Sequence, residues 1–157
     1  MNEFTAKKLG EVLAFAVVGE EIFEKGKEAL TTVLGAGGVS RVVESAVAHA
    51  SAITALATAE GTTEITLPKS EKTGAKLRQM LDLYVGDQWD NPAELLEWLG
   101  FFEGAALVHW KLVEGAGVAL RDDKLKDLAS TGVDFHQNLL AEVSTAIREL
   151  GGKKATA

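Results

Sequence analysis

Cysteine is absent from this 157-residue chain, which removes disulfides, thiolate metal sites and thiol nucleophiles at once. A chain without thiols suits a reducing compartment, and a cytoplasmic protein is expected. Proline is scarce, with two residues, so little in the chain interrupts a helix. Long apolar runs are missing too. The longest, Val12 to Val18, falls far short of the ~20 residues that cross a bilayer. The opening stretch MNEFTAKKLGEV has no apolar segment of the secretory kind, so neither a signal peptide nor a membrane span is expected. Positive charge is in deficit: the formal net charge is −7, which argues against a nucleic-acid partner.

What remains is a helix-forming chain. Its apolar share of 46% and charged share of 25% suffice for one domain with its own core. Apolar residues recur every three or four positions, the helical period. The spacing predicts a first helix from Thr5 to Leu34, closed by the glycines at 35, 37 and 38, and a second from Val39 to Ala59. Residues Glu60 to Lys69 read as a connection, because Thr63, Ile65 and Thr66 favour extended backbone and Pro68 discourages helix before it. A short third helix starts near Ser70 and stops at Gly86. The sequence DNPAE is a strong start signal: Asn91 caps, Pro92 takes the first helical position and Glu94 completes the arrangement. That fourth helix runs to Leu120, and Asp122-Asp123 turns the chain into a fifth reaching Leu150, which Gly132 bends. The expected fold is all-α: an up-and-down four-helix bundle with one additional short helix over residues 1–150, followed by a flexible tail, 151–157.

The fourth helix is apolar nearly all round. Leu96, Gly100, Gly104, Leu107 and Val118 lie off its main stripe of Leu95, Trp98, Phe102, Ala105, Leu112 and Ala116. A helix of that kind is buried on two sides. Its second side is covered either by the third helix or by another chain, and a homodimer is the expected assembly. Trp98, Phe101, Phe102 and Trp110 serve as core or as the wall of a cofactor pocket, while Trp89 covers one end.

The chain has three histidines, and an advance of ~100° per residue turns all three inward. His136 falls on the midline of the fifth helix's stripe, His109 near the centre of the fourth, and His49 inward on the second. Counting from the turns puts all three at mid-bundle depth. Glu20, on the margin of the first helix's stripe, is a candidate fourth member, with Glu24 one turn on. Imidazole nitrogens and a carboxylate oxygen form a donor set for one divalent metal such as Zn, Ni, Fe or Mn. An open position there would activate a water. The alternatives are a haem held by His109 and His136, and ordinary core histidines bonded to local carbonyls or carboxylates.

Two stretches carry a resemblance. FHQNLLAEVSTAIRELGGK looks like the final helix of DinB/YfiT-like proteins, and VVESAVAHASAI resembles their other histidine-bearing helix. The resemblance implies a histidine-bound divalent metal in a four-helix bundle and hydrolase or thiol-dependent transferase chemistry. Where that family carries a second histidine, four residues before His136, this chain has Gly132. A ferritin-like bundle is a second resemblance, through Glu20 and Glu24. However, the E-x-x-H motifs of a di-iron centre are lacking, since Ala46, Ala106 and Val133 stand three residues before the histidines. The competing functional class is a non-catalytic structural or interaction protein that dimerises, or binds a partner, through the fourth helix.

Overall fold

The computed structural model describes all 157 residues as six helices with no strand. They are α1 (Glu3–Lys25), α2 (Lys27–Leu34), α3 (Ala36–Ala59), α4 (Thr63–Val85), α5 (Pro92–Leu120) and α6 (Asp123–Thr156). Two of the local start signals, at Asn91 and Asp122, act where they were expected, whereas Ser70 lies inside α4. Asn91 accepts a hydrogen bond from the Ala93 N–H ahead of α5, and Asp122 accepts one from the Leu125 N–H ahead of α6. Arg121, in the left-handed region at φ 53°, makes the tight turn between them.

α3 begins at Ala36, ahead of the expected Val39, and three larger differences follow, the first two with a tertiary reason. The helix expected over Thr5–Leu34 breaks at Gly26, the junction of α1 and α2. A Cβ at Gly26 would lie 3.0 Å from both the Ile22 carbonyl oxygen and Leu95 Cδ1, so the start of α5 approaches this point closely and a side chain here would crowd it. The connection expected over Glu60–Lys69 is helical from Thr63, with Pro68 inside α4. Proline cannot supply the N–H that would bond the Glu64 carbonyl, but packing against α1 holds the segment. Thr66 Oγ1 donates to the Ala6 carbonyl at 3.2 Å, and at Gly10 the two helices approach so closely that a Cβ would lie 2.5 Å from the Thr66 carbonyl oxygen. The third helix is therefore long, and the short one is α2. Finally, α6 continues through Gly151-Gly152 to Thr156, into the stretch expected as a loose tail.

α1 touches α2, α3, α4 and α5, whereas α6 packs chiefly on α5 and also meets α2 and α3. The core falls into two apolar clusters. One is built around Phe15, Phe23, Leu95 and Phe102, the other around Leu9, Ile53, Trp110 and Leu125. By length and composition alone, α3 is the one helix that could cross a bilayer. In this fold it packs its Val39, Val42, Ala46, Ile53 row inward.

Candidate functional site

The inward row of α5 is Leu96, Leu99, Glu103, Ala106, Trp110, Val113 and Gly117. Spaced by three and four, these residues share one side of a helix. The row includes a carboxylate, because Glu103 is 2% exposed. An ionised carboxylate in such a place must be paired, and its partner is His136 on α6, whose Nδ1 hydrogen-bonds to Glu103 Oε2. His136 is itself 3% exposed.

His49 completes this polar layer from α3. Its ring centroid lies 6.2 Å from that of His136, 5.0 Å from Phe135 and 5.8 Å from Trp110. Burial, and secondly the electrostatic influence of the nearby His136 ring, push the His49 pKa down from 6.5 to about 4. At neutral pH His49 is therefore uncharged, beside the Glu103–His136 pair. The layer lies between the two apolar clusters: His49 stands between Val42 and Ile53, and His136 between Leu139 and Val133.

His109 belongs elsewhere. Its Nδ1–H donates to the Ala105 carbonyl at 2.7 Å, and its Nε2 lies 3.6 Å from Glu11 Oε2 on α1. Glu11 is the second buried acid that sequence reasoning missed. Burial would raise its pKa, but hydrogen bonds from Lys8 and Lys69 outweigh that and hold it below the ordinary carboxylate value. Lys8 Nζ reaches both its oxygens, at 2.9 and 3.0 Å, and Lys69 Nζ lies 3.1 Å away. Glu20 is half-buried on α1, and Glu24 is exposed. The structure thus brings His49 and His136 together and places His109 in a separate ionic cluster. Nowhere do three side chains of metal-ligating type converge.

Gly132 has a steric explanation. A Cβ there would come closer than 3.0 Å to the Trp110 indole, so Trp110 occupies the space that a side chain at position 132 would need. The Nε1 atoms of Trp110 and Trp98 are buried without a hydrogen-bond partner. These indoles are core, as is Phe102, while Phe101 is turned out to solvent.

The opposite face of α5 is unusual for a soluble surface. Phe101 is 62% exposed, Val108 61% and Leu112 43%. Between and beside them, Gly100, Gly104 and Gly115 have open space where a Cβ would go. Tyr84 from α4 stacks near Phe101, with ring centroids 5.5 Å apart. Leu83, on the same helix, is 89% exposed. A separate, open groove of about 990 Å³ lies between α1, α3 and α4. In its α3 wall, the Thr54 and Thr58 hydroxyls turn back to their own helix's carbonyls, Ala50 and Thr54. No protein-family model, curated protein or solved structure matches this chain.

Proposed function

We propose that this protein is a helical scaffold that assembles with copies of itself through the outer face of α5. Its frame is an up-and-down four-helix core of α1, α3, α6 and α5, with α4 laid outside on α1; the pairwise helix contacts support that arrangement. The observation that carries the functional reading is the exposed Phe101–Val108–Leu112 row. Single exposed apolar residues are ordinary, but a contiguous row of large ones marks a contact surface. The glycines support the same reading. Each glycine in a helix interior costs ~1 kcal/mol against alanine, and at positions 100, 104 and 115 nothing within the chain requires one.

Magnitudes set the strength of the contact. Burying the exposed half of Phe101, Val108 and Leu112 is worth on the order of 1 kcal/mol each, so about 6 kcal/mol over two copies. A contact that extends over α4 to the exposed Met80 and Leu83 adds a similar amount, against an association cost of about 4–15 kcal/mol. The balance is a weak dimer, with a dissociation constant no tighter than about micromolar. Phe101→Asp places two charges in the contact and should reduce the mass seen by light scattering from a dimer to the 16.6 kDa of one chain. A variant that assembles as the native chain does would exclude this face.

The His49–His136 spacing favours a second reading, a bound divalent cation. Two imidazoles sharing one ion at ~2.1 Å per bond have ring centres on the order of 6 Å apart. A carboxylate such as Glu103 on the far nitrogen is the usual orienting partner of a metal-bound histidine. Elemental analysis of protein purified without chelators should then find one metal per chain, lost in His136→Ala. Native protein free of metal would refute this reading and leave the scaffold reading untouched.

A further inference from the structure

The outer face of α5 is self-complementary, and its side chains specify one register. At ~100° per residue, Phe101, Gly104, Leu112 and Gly115 all point within about 40° of Val108. They are spaced symmetrically about it, with a large residue on one side matched by a glycine at the same distance on the other. Phe101 and Gly115 are each seven residues from Val108, and Gly104 and Leu112 are each four away. We propose that two copies pair antiparallel along α5 with the two-fold axis at Val108, Phe101 of each filling the space over Gly115 of the other and Leu112 the space over Gly104. This pairing rests on the scaffold reading and names its partner and its geometry.

Other arrangements of the same face fit worse. A parallel pair would set Phe101 against Phe101 and Gly104 against Gly104, stacking bulk on bulk and leaving gaps between. An isologous antiparallel pair uses one patch twice and closes on itself, so it stops at two copies. It also aligns the helix dipoles favourably.

The absence of cysteine makes the test clean, since one introduced thiol reports only its own position. Under mild oxidation Val108→Cys, lying on the two-fold, should convert most of the chain to a disulfide-linked dimer. Ser130→Cys, exposed on α6, serves as the collision control and should remain monomeric on a denaturing gel. Phe101→Cys alone should not self-link, because its two copies would lie ~21 Å apart along the axis. A mixture of Phe101→Cys and Gly115→Cys chains should link to each other. If the native chain is dimeric by mass yet Val108→Cys links no faster than Ser130→Cys, the register is wrong while the scaffold reading stands. Self-linking of Phe101→Cys would likewise overturn the register in favour of parallel pairing. A native chain that is monomeric by mass would defeat both.

Discussion

A single methyl group distinguishes two kinds of glycine in this protein. At Gly132 it would collide with the Trp110 indole, and at Gly100 it would enter open space. Gly132→Ala should therefore lose about 2 kcal/mol in urea unfolding, because overpacking outweighs the gain in helix propensity. Gly100→Ala should gain roughly 0.5–1 kcal/mol. Equal effects of the two would mean that Trp110 does not press on α6. His49 makes a different residue-scale prediction. Its pKa is about 4 in the fold against an ordinary 6.5, so between those values the unfolded chain binds a proton that the folded chain refuses. The stability linked to His49 is thus intact above about pH 6.5 and is lost as the pH falls toward 4. Urea midpoints measured with chelator present should drop between pH 7 and pH 5, and drop less in His49→Gln. Identical drops in the two proteins would remove His49 as a cause.

At the scale of elements, the features written locally in the chain were legible and those set by neighbours were not. Asn91-Pro92 and Asp122 announce their helices because a cap needs only its own few residues. The break at Gly26 and the helical Pro68 depend on Leu95 and on the Thr66–Ala6 contact, neither of which lies near them in sequence. The phase of α5 was illegible for another reason. A helix apolar nearly all round does not reveal which side faces the core. Centring its stripe on Leu95, Trp98, Phe102 and Leu112 puts His109 in the middle, whereas the buried row through Leu96, Leu99, Glu103 and Trp110 lies about one residue around. That rotation turns His109 toward Glu11, exposes Leu112, and carries Glu103 inward to His136. His49 and His136 were correctly read as inward because α3 and α6 each have a polar side that sets their phase. Glu103 could have been found by the same spacing rule, since it lies four residues after Leu99 and seven before Trp110.

For the molecule as a whole, the interior and the surface of α5 carry different tasks. The interior holds a buried Glu103–His136 pair and the neutral His49 between two apolar clusters. A layer of that kind contributes little net stability but is costly to break. The surface leaves a row of large apolar groups and open glycines that no other helix of the chain covers. A net charge of −7 opposes close approach of copies at low salt, so added salt should tighten the pair by screening it. Sedimentation equilibrium of the native chain across a dilution series, from about 1 mM down to about 1 μM, the tightest constant argued above, tests the account most directly. Mass should rise from the 16.6 kDa of one chain to twice that value and go no higher. A constant single-chain mass at every concentration would contradict it.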